Sequence, residues 1–338
     1  MLAIDKPAAA VTVSFPDRPQ VARPDVLVRD ATEADHDALM QLEGTDRASG
    51  AALIQARTSF FARSDAYPRA RVLVAESAGR LVGVLVVAVS EVFVSGAPCR
   101  AGYICNVRVQ PDLHRRGIGP VLMRAATEWL ESIGASYVTG LIKTSNTPSL
   151  TMVERLGWER RGRFDYLVLE MARFRDAYRA RKGRVVLREH ATEAPQGLFS
   201  SVLQHFVPRD LAGELFTSSP RGGGYAGTLE AVCANGWARA SLWDDRIRRG
   251  LDRVRYPFVK AYEVSFGGEG GFDGFLAIAE RLHHYGLRYL MLPVPVESPA
   301  FDELHRYAES HVDFHFVGRP LNGAPPLPRG QIYFDVRH

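Results

Sequence analysis

The residues best suited to binding an anion form the loop His114-Arg115-Arg116-Gly117-Ile118-Gly119. This loop delivers two arginines and two glycines to the first turn of a predicted helix. The first turn of a helix has backbone N–H groups without intrahelical partners and carries the positive end of the helix dipole, so it receives phosphate groups well. The loop therefore predicts binding of a phosphorylated ligand, such as one with a pyrophosphate.

Two regular elements must hold this loop in place. Residues 101–110 are apolar and alternate in the manner of a β-strand, which Pro111 ends. Residues 118–133 carry apolar side chains at steps of three and four, the spacing of one helical face, and Gly134 stands where a C-cap glycine is expected. The sequence predicts a strand, a glycine loop and an amphipathic helix in succession.

Two well-known glycine loops do not fit this pattern. A P-loop needs a lysine and then a serine or threonine after its second glycine, and neither follows here. A dinucleotide fingerprint needs a third glycine at the position of Leu122 and an acidic residue near Gly140 and Leu141. The sequence therefore excludes both kinds of loop.

The residues after the loop complete a recognisable order. A predicted strand over residues 137–142 leads to Asn146 and to a short helix that ends Arg155-Leu156-Gly157-Trp158. With the preceding Val109-Gln110-Pro111, this order resembles the GNAT superfamily of acyl-CoA N-acyltransferases. The resemblance implies an α/β (α+β) fold with a mixed, mostly antiparallel twisted sheet flanked by helices.

The resemblance also implies a site for acetyl-CoA as cosubstrate. The strand that contains Asn106 would pair with the pantetheine arm and offer a backbone N–H to the oxyanion, while the glycine loop would hold the pyrophosphate. The residues implied in cofactor binding are Val107, Arg108, Val109, His114, Arg115, Arg116, Gly117, Ile118, Gly119 and Asn146.

Proton transfer is assigned to three candidate residues. Tyr103 stands six residues before Val109, where some GNAT members carry a catalytic glutamate, and Cys105 shares its face of a regular strand. Glu91 and Glu43 are further candidate bases or amine-binding carboxylates, and a surface position explains each of them better. Val153 occupies the position at which the family often has a tyrosine that protonates the leaving thiolate.

Composition describes an ordinary globular protein. The chain is 46% hydrophobic and 24% charged, and its 338 residues exceed one average domain, so the length predicts two domains. The three cysteines have neither disulfide-framework nor Cys-x-x-Cys spacing, and no apolar run is long enough to span a membrane. We therefore predict a cytoplasmic protein without a membrane partner.

Charge and histidine spacing narrow the ligands further. The net charge is +4, and the arginines are spread along the chain rather than gathered in a basic stripe, which argues against a nucleic-acid partner. The histidines of the second half have no His-Glu-x-x-His or Cys/His zinc spacing, so the sequence predicts no metal.

The second half repeats the first. A shift of 152 residues places Gly271 on Gly119, Gly286 on Gly134 and Tyr289 on Tyr137, which indicates an internal duplication and tandem GNAT folds. Glu269 lies in the second glycine loop, where its charge would repel a phosphate. The predicted organisation is a flexible arm (1–24), a catalytic domain (25–172), a basic linker (173–184) and a degenerate second domain (185–338).

Three landmarks refine the resemblance, namely Phe206-Val207-Pro208-Arg209-Asp210, Gly267-Gly268-Glu269-Gly270 and residues 331–337. With the first glycine loop, they are similar to the plant Hookless-type N-acetyltransferases. We therefore predict an acetyl-CoA-dependent N-acetyltransferase in which a primary amine, favoured as a small molecule, attacks the thioester directly. A protein lysine or N-terminal acetyltransferase and a non-catalytic acyl-CoA-binding regulator remain as alternatives, and the oligomeric state is not predicted.

Overall fold

A computed structural model describes residues 25–44, 59–67, 69–94, 97–181, 185–190, 206–208, 225–243, 258–298 and 301–329. The predicted N-terminal arm, the end of the predicted linker and the landmark at residues 331–337 lie outside these ranges. No helix among the described residues is long and apolar enough to cross a membrane.

Among its described residues, the first half contains six strands and three α-helices. The sequence Ala78-Gly79-Arg80 predicts a short hairpin turn, and such a turn forms, with positive φ angles at Ala78 and Gly79. Gly134 has a φ of +72° after the second helix, so the predicted C-cap is confirmed. The elements are β1 (Leu27–Asp30), α1 (His36–Gly44), β2 (Arg69–Ser77), β3 (Arg80–Val94), β4 (Ala97–Val109), α2 (Ile118–Ser132), β5 (Tyr137–Lys143), α3 (Thr147–Arg155) and β6 (Glu159–Glu170).

The second half follows the same order. The strand at 237–243, the glycine loop and the long helix after it all form as predicted from the duplication. The elements are α4 (Met171–Arg181), β7 (Val185–His190), β8 (Phe206–Pro208), β9 (Tyr225–Cys233), β10 (Gly236–Trp243), β11 (Phe258–Gly268), α5 (Gly271–His284), β12 (Tyr289–Pro295), α6 (Phe301–His305) and β13 (Ala308–Pro320).

One sheet runs through both halves, and the halves exchange their last strands. Along the sheet, β5 is followed by β13, β6 and β12, and all three pairings are antiparallel. The first half therefore receives β13 from the second, and the second half receives β6 from the first. The mixed, mostly antiparallel sheet agrees with the predicted fold class, but the predicted boundary at residue 172 does not separate two complete sheets.

The two exchanged strands pair symmetrically about one aromatic pair. Phe164 pairs with Phe314, 150 positions later, and the two rings stack with centroids 5.7 Å apart. On either side of this pair, Asp165 faces Asp313 and Arg163 faces His315, which are the same pairing under an exchange of halves. The Phe164–Phe314 pair thus lies at the centre of a pseudo-twofold arrangement.

Apolar side chains alternate between the two faces of the sheet in the first half and form a core on each face. Leu73, Leu85 and Val87 face α2, whereas Val74 and Val86 face α1. Small residues let α2 approach the sheet, since a Cβ on Gly102 would lie 2.3 Å from the Leu130 side chain. Ile118 and Leu122 in the first turns of α2 are buried in the same core, which fixes the beginning of α2 and with it the glycine loop.

The segment predicted as a basic linker is helical up to Arg181. Within α4, Phe174 is fully buried and packs on Phe275 and Tyr307 in the core of the second half, while the Arg173 side chain is exposed. The sequence pattern of this segment is rich in arginine, but the buried Phe174 attaches the helix to the core. The segment is thus a structural helix rather than a free connection.

Candidate functional site

The strand that leads into the glycine loop is interrupted at Asn106. This residue has a positive φ of 52°, and the pairing with β3 shifts between Val84–Arg108 and Val86–Cys105. Such a bulge inserts an extra residue and re-aims the backbone groups beside it. The bulge lies within residues 105–108 and includes Val107 and Arg108, for which the family resemblance implies cofactor binding.

Strands β4 and β5 separate beside this bulge. Their parallel ladder extends from Ala101–Tyr137 to Ile104–Gly140 and stops there, although β4 continues to Val109 and β5 to Lys143. Open α/β sheets bind ligands at the carboxyl ends of neighbouring parallel strands. The end of the ladder therefore leaves an opening at which the backbone of β4 is available to an extended ligand.

The glycine loop meets the same edge of the sheet. Gly117 caps α2 in the left-handed region with a φ of 88°, and a Cβ added to it would contact nothing within 4 Å. Pro120 lies in the first turn, where a missing N–H costs no hydrogen bond, while Ile118 and Gly119 keep theirs. The beginning of α2 thus offers N–H donors and room for an anion.

The basic side chains of the loop have two different roles. Arg115 and Arg116 are exposed at the start of α2, where they can contact a phosphate. His114 is also exposed, but its Nε2 lies 2.9 Å from the Val109 carbonyl and therefore carries the proton that it donates. This hydrogen bond holds the loop on β4.

Asn146 follows β5 at the same edge. Its Oδ1 accepts a hydrogen bond from the Ser149 N–H at 3.2 Å, which caps α3. Two residues earlier, the Thr144 hydroxyl donates to the Asp313 carboxylate of β13, and this bond lowers the pKa of Asp313. The exchanged strand of the second half therefore positions the turn that carries Asn146.

The candidates for proton transfer lie on the face of β4 that packs toward α1, on the other side of the sheet from α2. Tyr103 is buried beside Tyr67 and Ala88, with Cys105 on the same face as predicted. Glu43 of α1 is almost completely buried, and its carboxylate lies 3.9 Å from the Arg108 guanidinium. The geometry brings Tyr103, Cys105 and Glu43 to the side of the sheet that α1 and residues 59–67 cover.

Glu91 and Val153 both lie away from a role in proton transfer. Glu91 is exposed and pairs with Arg100, six residues before Asn106, which places it roughly 20 Å along the sheet from the bulge. Val153 is buried in the core between α2 and α3. Its side chain supplies packing at the position where the family often has an acid.

The burial of Glu43 is the feature that sequence reasoning missed. The sequence favours a surface position for Glu43, because a lone glutamate in a short helix is usually solvated. The available signal was spacing: Glu43 follows the fully buried Leu39 by four residues and therefore shares its helical face. Only the pairing with Arg108 shows why a carboxylate is tolerated there.

The second glycine loop has a different environment. A Cβ on Gly268 would lie 2.2 Å from the Asn235 carbonyl oxygen, and one on Gly236 would lie 2.4 Å from the Gly271 nitrogen. The Gly270 N–H also donates to the Asn235 carbonyl at 3.2 Å. The turn between β9 and β10 thus occupies the space that is open beside Gly117.

Comparison with known proteins identifies the family of this site. Residues 37–158 match the model described as Acetyltransferase (GNAT) family. No curated protein sequence matches the chain significantly. The match spans α1 to the start of β6 and includes the bulge, the glycine loop and Asn146, so these residues are part of a GNAT domain.

Solved structures share the fold at low sequence identity. A tandem GNAT protein from the clavulanic acid biosynthesis pathway is 18% identical, with 86% of this chain and 94% of that chain covered and a TM-score of 0.54. A glucosamine N-acetyltransferase region of a fungal multi-domain GH3 β-N-acetylglucosaminidase is 15% identical, with a TM-score of 0.63. It covers 90% of this chain and 39% of that chain. The likeness to the tandem GNAT protein extends the family fold to both halves of this chain.

Proposed function

We propose that this GNAT acyltransferase transfers an acetyl group from acetyl-CoA to the primary amine of a small molecule. The observation that carries the proposal is a single edge of the sheet, where the β4 bulge, the end of the β4–β5 ladder and the beginning of α2 meet. A thioester with a long polar arm and a pyrophosphate matches these three features in that order.

The described residues fit acetyl-CoA as cosubstrate. The backbone of Val107, Arg108 and Val109 is available to the amides of the pantetheine arm beyond the last β4–β5 pair. The N–H groups of Ile118 and Gly119, with the exposed Arg115 and Arg116, would bind the pyrophosphate.

Acyl transfer requires that the charge on the carbonyl oxygen be stabilised as the amine attacks. A backbone N–H at the bulge, held by the β3–β4 pairing, would donate to that oxygen. One preorganised donor of this kind contributes roughly 3 kcal/mol to the transition state. The bulge is therefore the element to which we assign oxyanion stabilisation.

The amine must lose a proton, and two buried groups are placed to accept it. Tyr103 and Glu43 both lie on the α1 side of β4, next to Cys105 and Arg108 respectively. We assign the proton acceptor to Glu43, since its carboxylate oxygens, beside Arg108, can take up the proton that the amine loses. Tyr103 would then orient the amine, and Cys105 would act as a small buried thiol.

A small acceptor is favoured over a protein for a structural reason. Helix α1 and residues 59–67 cover the face on which Tyr103 and Glu43 lie, and Tyr103 is only 8% exposed. A side chain of a folded protein would need a wide open groove to reach this depth, whereas a free amine needs only a narrow entrance.

Calorimetric titration with acetyl-CoA tests the cosubstrate site. We expect one site per chain in the wild type and a clear loss of affinity in Gly117→Ala, which strains the start of α2. Gly134→Ala is the matched control, because Gly134 also has a positive φ and open surroundings but lies at the other end of α2. Loss of affinity in both variants would instead indicate a general weakening of the helix.

Turnover with a panel of amines tests the reaction and its alternatives. Glu43→Gln should lower kcat strongly, and Tyr103→Phe should raise KM more than it lowers kcat. Acetylation of peptides but of no free amine would favour a protein acceptor. Binding of acetyl-CoA without turnover of any amine or peptide would favour the regulatory role that the core position of Val153 suggests.

A further inference from the structure

A second cluster of chemically active side chains lies at the junction of the two halves. Asp165 of β6 is buried, and two histidines of the second half approach it, His305 from α6 and His311 from β13. The Asp165 Oδ2 lies 3.1 Å from His311 Nδ1 and 3.6 Å from His305 Nε2. None of the three residues belongs to the bulge or to the glycine loop.

The donor set and its spacing match a metal centre. One ligand atom from each residue lies within 4.8 Å of the other two. Zinc binds imidazole nitrogen and carboxylate oxygen at about 2.0–2.2 Å, so neighbouring ligands of a tetrahedral ion are about 3.3 Å apart. The two distances from Asp165 Oδ2 bracket this value, and the partly exposed histidine rings can rotate to close the third.

The second carboxylate oxygen of Asp165 independently points to a ligand. The side chain is only 5% exposed, and its Oδ1 has no hydrogen-bond partner among the described residues. Burying a carboxylate oxygen costs free energy unless a hydrogen-bond donor or a cation contacts it. A metal ion bound in bidentate fashion, or a water molecule on that ion, would satisfy Oδ1.

We propose that Asp165, His305 and His311 bind one zinc ion, with water at the fourth position. Two imidazoles and one carboxylate suit zinc, and among divalent metals of the first row zinc is bound more tightly than iron or manganese by such ligands. The ion would link β6, which comes from the first half, to α6 and β13 of the second. It would therefore stabilise the exchange of strands on which both halves depend.

The positions of the three residues in the chain explain why sequence spacing did not predict this site. Asp165 and His305 are separated by 140 positions, and the two histidines, with five residues between them, lack the Cys-x-x-Cys pair that accompanies such a histidine pair in a zinc finger. The exchange of β6 and β13 brings the three residues together. The prediction of no metal had considered the local spacing of histidines and cysteines alone.

Titration of the full chain with Zn²⁺ tests the proposal. The protein is prepared without a histidine tag, stripped with a chelator and titrated calorimetrically, and its melting temperature is followed with Zn²⁺ and with chelator. We expect one site per chain and a higher melting temperature with Zn²⁺. His305→Ala, His311→Ala and Asp165→Asn should each weaken binding at least 100-fold and remove the rise in melting temperature.

Two controls keep the outcome clear. His284→Ala removes an exposed histidine of α5 outside the cluster and should bind Zn²⁺ like the wild type. Co²⁺ in place of Zn²⁺ should give visible absorption typical of a tetrahedral nitrogen and oxygen site in the wild type and not in His311→Ala. Absence of wild-type binding, or equal binding by the cluster variants, would overturn the proposal.

Discussion

The two glycine loops, at residues 115–119 and 267–271, precede helices that the duplication relates, but they meet different surroundings. The first has Arg115 and Arg116 on its surface and open space beside Gly117. In the second, the β9–β10 turn contacts Gly268 and Gly271, and Asn235 accepts the Gly270 N–H. The helix beginning that is open in the first half is filled by protein in the second.

This difference shows two ways in which a phosphate site can be closed. The sequence indicates one of them, the replacement of arginines by Glu269, which repels a phosphate. The structure adds the other, because a loop already packed on a neighbouring turn has no room for a ligand whatever its charge. Restoring basic side chains alone should therefore not restore a site in the second half.

The largest effect should come from charge reversal in the first loop. Arg115→Glu combined with Arg116→Glu should weaken acetyl-CoA binding roughly 100-fold or more, since each charge-assisted hydrogen bond contributes about 1.5–3 kcal/mol. Calorimetric titration measures the affinity. The melting temperature should not change, because both side chains are exposed.

A matched double reversal at Arg80 and Arg306, both exposed and outside the loop, controls for net charge. If it weakened binding as much, the attraction would be long-range and the loop would have no special role. Glu269→Arg should create no second binding site. Two sites per chain in that variant would show that charge, and not packing, closes the second loop.

Glycine substitutions in the two loops should destabilise the protein to different extents. Gly268→Ala should cost about 3 kcal/mol of unfolding free energy, because a Cβ would collide with the Asn235 carbonyl at a positive φ. Gly117→Ala has space for its Cβ and should cost only about 1 kcal/mol, the strain of its backbone conformation. Urea denaturation measures both, and equal losses would contradict the contrast between the loops.

The exchanged strand should connect the second half to the first site. Asp313→Ala removes the acceptor of the Thr144 hydroxyl and should weaken acetyl-CoA binding about 5-fold, the equivalent of about 1 kcal/mol for one hydrogen bond. Glu309→Ala, at an exposed position of the same strand, should leave the affinity unchanged. An unchanged affinity in Asp313→Ala would mean that each half works without the other.

The smallest effect concerns acid stability of the first half. The Arg29 guanidinium, 2.8 Å from Asp35, lowers the pKa of that carboxyl to about 2. A folded-state pKa below the ordinary value of 3.8 stabilises the protein above about pH 4, and this contribution is lost as the pH falls toward 2. The Arg29 side chain is 34% exposed, so the contribution is at most about 1 kcal/mol.

Urea denaturation at several pH values measures this contribution. Asp35→Asn should lower stability near pH 6 and flatten its dependence on pH between about 4 and 2. Asp37→Asn, which changes an exposed carboxylate two residues away, should preserve the slope. The same slope in Asp35→Asn as in the wild type would assign acid sensitivity to other groups.

Local sequence determined the elements of the first site. The apolar steps over residues 118–133 and Gly134 defined α2, and its buried residues include Ile118, Leu122, Ala126 and Leu130. The hairpin around Gly79 and the shift of 152 residues were equally readable, since periodicity and glycine conformation are properties of short segments. The family pattern then identified the glycine loop, while the similarity to Hookless-type proteins stays a prediction.

Tertiary structure decided everything that depends on residues far apart. The exchange of β6 and β13, the filling of the second loop by the β9–β10 turn, the Glu43–Arg108 pair and the Asp165, His305 and His311 cluster all join distant segments. Periodicity tells which face of an element is buried but not which partner covers it. The sequence by itself thus determined the elements and the family, and long-range strand pairing decided which side chains share a site.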